Sequence, residues 1–384
     1  MIAPAPALAG APGAPAPARE AEIARVMICD DSAVIRSAIA RILEADPAIR
    51  VLARAANGRQ GVETLRRTQV DVIVLDIEMP VLDGLAALPL LLEVDPGVRI
   101  VMASTLTTRG ADIALRALRL GAADYIPKPS AIAGLDDHGF RQELIAKVKG
   151  LARMRRRPVA PSGAPFGAPF GAAPPRPRLD TRPSPARSPR LLAIGSSTGG
   201  PQALMRVIAG LGREIAVPVA ITQHMPPAFT AMLASHITAL GGLACAEAVD
   251  GERLAPGRIY LAPGDRHLLI EAAPGDAPAA LRARLSDAPA VNYCRPAVDP
   301  MLESAARAAD GRVLVAMLTG MGHDGLAGTR AIIAAGGTAI AQDEATSVVW
   351  GMPGAIAQAG LCHAILPLPR IAPKLIELLR SGRA

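Results

Sequence analysis

Short apolar runs alternate with helix-like segments along most of this 384-residue chain, and that alternation restricts it to parallel sheets covered by helices. Val26-Met27-Ile28-Cys29 leads into a helical pattern near 33–45, Val51-Leu52-Ala53 into one near 58–67, and Val72-Ile73-Val74-Leu75 into one near 84–93. Ile100-Val101-Met102-Ala103 precedes a pattern near 110–120, and Tyr125-Ile126 precedes one near 140–153. The rhythm stops and then resumes, with strand candidates at 191–194, 217–222, 258–262, 267–270, 313–318 and 338–341. Two α/β units are expected, in line with a prior of about 150 residues per domain.

Residues 151–190 separate them, with nine arginines, ten prolines, one acid and a doubled Gly-Ala-Pro-Phe over 163–170. Such a stretch buries too little apolar surface to fold and reads as a semi-extended linker. It carries +8 against +7 for the whole chain, so the remainder is near neutral at −1 and offers no basic face for nucleic acid. The arginines are either solvated or meet an acidic docking partner. Residues 1–23 form an Ala/Pro-rich tail that lacks the basic start and apolar stretch of a secretory signal. No run approaches the roughly 18 apolar residues of a membrane span, so a soluble, cytoplasmic protein is expected. Cys29, Cys245, Cys294 and Cys362 show no C-x-x-C spacing and read as buried thiols.

In the first unit, Asp30 and Asp31 close the first strand, Asp76 the third and Ser104 the fourth, while Lys128 follows the fifth. The carboxyl ends of parallel strands gather at one edge, where ligands bind. Three carboxylates there repel one another unless a cation is present, and a hard divalent ion such as Mg2+ suits oxygen ligands. An aspartate beside such an ion can accept a phosphoryl group whose oxygens a lysine and a serine neutralise. Taken singly, an aspartate at a strand end is more often a helix cap; the set at successive strand ends is far more specific. Through Cys29-Asp30-Asp31-Ser32, Leu75-Asp76-Ile77-Glu78-Met79-Pro80 with Asp83-Gly84, and Pro127-Lys128-Pro129, residues 24 to about 150 resemble the receiver domain of bacterial two-component response regulators. The resemblance implies a flavodoxin-like sheet and Asp76 as phosphoacceptor. It further implies Mg2+ held by Asp30, Asp31 and Asp76, phosphoryl contact from Lys128, and Ser104 as the switch hydroxyl.

In the second unit, Gly195-Ser196-Ser197-Thr198-Gly199-Gly200 matches G-x-S-x-G between a strand and a helix opening at Pro201, a setting that exposes a serine nucleophile. The same turn would serve equally to cap the helix or to hold a phosphate. His224 and Asp324 also follow strand-like runs; a structural histidine before Pro226-Pro227 and a capping aspartate are the alternatives. The order serine, histidine, aspartate departs from the α/β-hydrolase order and disfavours an ordinary esterase or lipase.

Residues 191 to about 365 resemble the catalytic domain of the chemotaxis protein-glutamate methylesterase family, CheB. The resemblance rests on Ile194 to Pro201, Gln223-His224-Met225-Pro226, Tyr260 to Gly264, Arg295 to Asp299 and Leu318 to Gly325. It implies a doubly wound α/β methylesterase domain over 191–384. Ser197 would be nucleophile, His224 general base and acid, and Asp324 the orienting acid, with amides near Thr198 and Met321 forming the oxyanion hole. Chemoreceptors would be the substrates, through glutamate methyl esters and glutamines, and a histidine kinase the phosphodonor. Arg295 either holds a substrate carboxylate or pairs with Asp299; Trp350 either lines the substrate groove or packs; His323 sits beside the acid. The rival is a regulator whose second domain only binds, using the glycine turn for a nucleotide or the linker arginines for DNA; another ester substrate is a nearer alternative.

Overall fold

The computed structural model describes residues 23–104, 107–128, 138–156, 187–213, 215–273 and 280–380. The expected tail up to residue 22, and residues 157–186 of the expected linker, lie outside that description.

The first sheet contains β1 (Ala24–Cys29), β2 (Ile49–Ala55), β3 (Val72–Asp76), β4 (Arg99–Ser104) and β5 (Asp124–Pro127), and the helices between and after them are α1 (Ala33–Glu44), α2 (Gly58–Leu65), α3 (Gly84–Val94), α4 (Thr108–Arg119) and α5 (His138–Arg156). The strand order is β2-β1-β3-β4-β5 and every pair is parallel, as a flavodoxin-like sheet requires. Helices cover both faces, so all five residues of β3 are buried and its sequence is apolar up to Asp76. Ser32, Asn57, Asp83 and Thr107 start α1 to α4 by accepting an amide three residues on.

The second sheet is formed by β6 (Leu191–Ser196), β7 (Val219–Gln223), β8 (Ala244–Glu247), β9 (Arg258–Leu261), β12 (Val313–Met317), β13 (Thr338–Gln342) and β14 (Ala364–Leu366), in the order β14-β13-β12-β6-β7-β9-β8. All neighbours are parallel. The chain winds outward one way from β6 and the other way from β12, so the crevice at the carboxyl ends of this pair is the switch point of the sheet. Helices α6 (Gly200–Leu211), α7 (Pro227–Thr238), α8 (Val298–Ala308), α9 (Leu326–Ala334), α10 (Met352–Gln358) and α11 (Leu368–Arg380) flank it.

The candidate at 267–270 does not join this sheet. It lies in β10 (His267–Ala272), which pairs antiparallel with β11 (Leu281–Ser286) as a separate hairpin. Burial alternates along β11, as it does on a ribbon covered on one face only. Three strands were not anticipated: β8 and β14 are short and only part-buried, and β11 is interrupted by Arg282 and Arg284.

The expected linker also begins too early, because α5 runs to Arg156. Its arginines are paired: Arg153 with Glu344 at 3.0 Å, Arg155 with Asp95 at 2.7 Å, and Arg156 with Asp71 at 2.5 Å. Asp71 also accepts from the Arg25 amide and guanidinium, both at 2.9 Å, and is fully buried. It therefore ties the starts of β1 and β3 to the end of α5.

The two units share one apolar seam. Buried residues of α4 and of α7 belong to a single cluster, and the Tyr125 ring of β5 stacks on Phe229 of α7 with centroids 4.7 Å apart. Burial pushes the Asp71 carboxyl up, but the bonds from Arg25 and Arg156 outweigh it and hold the group below its ordinary range. A depressed folded value contributes stability that is complete above the unfolded-state value near ~3.9 and is lost as pH falls through the folded one. Asp71→Asn should cost about 2 kcal/mol at pH 7, and the gap should close in acid. Urea unfolding at pH 7 and pH 3 measures both; an equal gap at the two would contradict the assignment.

Candidate functional site

At the switch point β6 ends at Ser196, and Ser197 starts the turn into α6. Gly199 has φ +74°, and a Cβ on Gly200 would lie 1.9 Å from the Gln223 side-chain oxygen, so the turn requires glycine at both places. The Ser197 amide donates to Thr319 O at 3.0 Å, across from the end of β12. Gln223, at the end of β7, accepts from Ser196 Oγ at 2.7 Å and donates to the carbonyls of Ser197 (2.9 Å) and His224 (3.1 Å). This buried amide locks the nucleophile turn to the histidine's strand. It was missed in the sequence, where its only signal is a polar residue closing an apolar strand.

His224 and Asp324 meet directly, Nε2 to Oδ2, at 2.8 Å. The aspartate Oδ2 also accepts from the Val298 amide at 2.6 Å. Its Oδ1 accepts from the amides of Asp299 (3.1 Å) and Gly325 (3.0 Å) and from Asn292 Nδ2 (3.0 Å). Burial raises the Asp324 carboxyl, but His224 and these donors outweigh it and bring the group down to about 2. Burial opposes the imidazolium as well, yet the bonds to Asp324 and Cys294 push His224 up to about 10. Among the described residues Ser197 Oγ has no hydrogen bond to His224, whose Nδ1 instead lies 3.3 Å from Cys294 Sγ. Cys294 is thus half-buried beside the imidazole, unlike the other three cysteines, which are buried.

Thr198 is buried and Met321 half-buried, and their main-chain amides meet no protein acceptor among the described residues. Thr319 Oγ1 donates to Thr198 O at 2.8 Å, and Gly320 N donates to Val349 O at 3.0 Å, so the two amides stand on two loops, one after β6 and one after β12, that brace each other. Arg295 does not pair with Asp299. It binds Asp265 at 2.6 Å, while Asp299 accepts from Gly328 N at 2.7 Å and Asn292 Nδ2 at 3.0 Å. The reason is local: from the first turn of α8 the buried Asp299 carboxylate faces Gly328 of α9 and Asn292, while the part-exposed Arg295 meets Asp265. Trp350 donates to Gln342 O at 2.9 Å and, with Met321, lines a groove of about 980 Å³ whose other wall is α5. His323 is exposed.

At the edge of the first sheet, carboxylate oxygens of Asp30, Asp31 and Asp76 lie within 4.8 Å of one another. Lys128 Nζ is 2.7 Å from both Asp30 and Asp76. Burial, with Asp30 adding, pushes Asp76 up to about 6 in spite of Lys128. One ammonium does not balance three carboxylates, and an all-oxygen donor set with Asp31 open to solvent fits a hard divalent cation. Ser104 is buried at the end of β4.

The two sites are joined through β5 and α5, a connection the sequence did not reveal. Buried Asp124 accepts the Gly199 amide at 3.0 Å and is held by Lys147, also at 3.0 Å. Gly150 of α5 lies against Val348, where an added Cβ would fall 2.0 Å from the carbonyl oxygen.

Residues 192–375 match the CheB methylesterase family, and residues 26–138 match the response regulator receiver domain. The chain is 52% identical over 385 residues to the protein-glutamate methylesterase/protein-glutamine glutaminase of group 2 operon of Rhodospirillum centenum, covering 94% of this chain and 95% of that protein. It is 52% identical over 390 residues to the protein-glutamate methylesterase/protein-glutamine glutaminase of Azospirillum brasilense, covering 96% and 95%. Among solved structures it is similar to the CheB methylesterase catalytic domain of Thermotoga maritima, at 41% identity over 50% of this chain and 99% of that one, with a TM-score of 0.48.

Titration of His224 by NMR should lie well above the ordinary histidine value near ~6.5. In Asp324→Asn the dominant opposing influence is burial, and the value should fall by more than about one unit. An unchanged titration in that variant would show that the contact with Asp324 does not govern the imidazole.

Proposed function

This chain belongs to the CheB methylesterase family, and from that premise we propose that Ser197, His224 and Asp324 carry its chemistry. It is a protein-glutamate methylesterase and protein-glutamine glutaminase with a receiver domain in front, which sets aside the binding-module reading. The observation that carries the site assignment is the His224–Asp324 contact at 2.8 Å beside the Ser197 turn, at the switch point of the sheet.

In this reading Ser197 Oγ attacks the ester carbonyl and gives its proton to His224. With Nε2 held by Asp324, Nδ1 is the accepting nitrogen; exchanging Cys294 for the serine loosens its hold on the resting proton. The amides of Thr198 and Met321 receive the oxyanion. The same nitrogen protonates departing methanol, or ammonia from glutamine, and water then releases glutamate by the reverse path.

Asp76 is the phosphoacceptor in the proposed receiver, residues 24–156. Asp30, Asp31 and Asp76 would hold Mg2+, which supplies positive charge against the phosphoryl oxygens when bound. Lys128 and the Ser104 hydroxyl contact the same oxygens. A histidine kinase is the donor, chemoreceptor helices bear the substrate glutamates, and the enzyme works in the cytoplasm. The proposed catalytic unit, 191–384, is reached by the receiver through Asp124 and Gly150, which touch the Ser197 turn and the Val348 loop.

Methanol release from methylated chemoreceptor membranes tests the reading. Ser197→Ala should lower it by at least about a thousandfold, whereas Asp76→Asn should keep the basal rate and lose the response to a small phosphodonor. Release that persists in Ser197→Ala removes the serine from the mechanism. Gly150→Ala gains helix propensity but cannot keep its distance from Val348, so the domains must shift. Its basal rate should rise and its stimulation shrink; an unaltered ratio would mean that this contact plays no part in control.

A further inference from the structure

Asn292 belongs to a tight reversal between Val291 and Cys294, whose backbones exchange hydrogen bonds of 3.1 and 2.9 Å. Its two central residues are both left-handed, Asn292 with φ +52° and Tyr293 with φ +64°. Asparagine tolerates that conformation because its short polar side chain bonds locally; a tyrosine gains nothing from it. The Tyr293 side chain is in fact fully exposed, at 103% of its reference area, so its own packing does not account for the strain. What the reversal does achieve is placement of its two neighbours. Cys294 meets His224, and the Asn292 amide enters between the carboxylates of Asp299 and Asp324.

Nδ2 of Asn292 is 3.0 Å from Asp324 Oδ1 and 3.0 Å from Asp299 Oδ2. Both partners are acceptors, so the nitrogen must be the end that faces them, and its two protons serve one carboxylate each. The carboxylates need such a donor. Asp299 is 6% exposed and Asp324 2%, and like charges at that depth repel strongly. Burial, with the charge of Asp324 and a direct contact with its side chain, pushes the Asp299 carboxyl up to about 6 against the bonds from Gly328 and Asn292.

We propose that Asn292 is a positioning residue for the esterase reaction, bridging Asp299 and Asp324 so that the Asp324 carboxylate stays aimed at His224. This rests on the triad proposed above. Without the amide, nothing balances the contact that Asp299 and Asp324 already make, and a proton shared between them draws the Asp324 oxygen away from Nε2. The imidazole then loses its fixed orientation, while the surface that meets the receptor is unaltered.

Asn292→Gly is the informative change in the full-length protein, because glycine keeps the left-handed turn and removes only the amide. With phosphodonor present, kcat on methylated receptor membranes should fall about 10- to 100-fold, the scale set by partners that orient metal ligands, which act on a reacting group in the same indirect way. KM should stay within about twofold and the thermal midpoint should hold. Adding Asp299→Asn supplies a new amide at the same junction and should recover a large part of kcat. Unchanged kcat in Asn292→Gly, or a loss that follows the thermal midpoint and is not recovered, overturns the proposal. Ser197→Ala run alongside separates the two ideas. If it abolishes release while Asn292→Gly does nothing, only the positioning role fails; if it leaves release intact, the triad itself is wrong.

Discussion

A carboxylate sealed beneath the crevice of a sheet is stable only if protein donors replace every water it gave up, and Asp324 meets that condition with five. Two are the first amides of α8, one is the amide of Gly325, one is Asn292, and the last is the imidazole. The five donors come from four places along the chain. Placing them together therefore requires α8, the reversal at 291–294 and the loop after β12 to be correct at once. The imidazole is held because the carboxylate is, and Gln223 extends the same rigidity to the turn carrying Ser197. A parallel sheet makes this economical, because the ends of β6, β7 and β12 already lie side by side.

Much the same edge-of-sheet logic builds the receiver pocket, with an opposite electrostatic result. Asp324 is oversupplied with donors, which bring it down to about 2. The three acids of the receiver are undersupplied, with one ammonium between the two that are buried. The first arrangement is finished and stiff; the second leaves three clustered acids short of positive charge.

How far the sequence could be read follows from the range of the forces involved. Strand runs before Asp76 and before Ser197 are local patterns, and the convergence of their ends is a property of any parallel sheet. Both fold classes were legible for that reason. Asn292, Gln223 and Asp124 were not, because each owes its role to groups 7 to 75 positions away, and nothing in their neighbours announces it. The arginines at 153–156 misled in the other direction: their density suggests solvent, yet Glu344, Asp95 and Asp71 wait for them at distant points. The hairpin of β10 and β11 was obscured by alternating arginines, which are natural on a ribbon with one wet face.

The hydrogen bond from Gly199 to Asp124 has one more implication. Gly199 stands at the N-cap of α6, where no side chain of its own unit provides a cap. The receiver's Asp124 instead binds the amide of this N-cap residue and, with Lys147 beside it, lies against the positive end of the α6 dipole. A receiver that swings aside thus does more than clear a path. Any movement of the receiver away from α6 takes that acid with it, and the positive end of α6 beside the Ser197 turn is left without its partner.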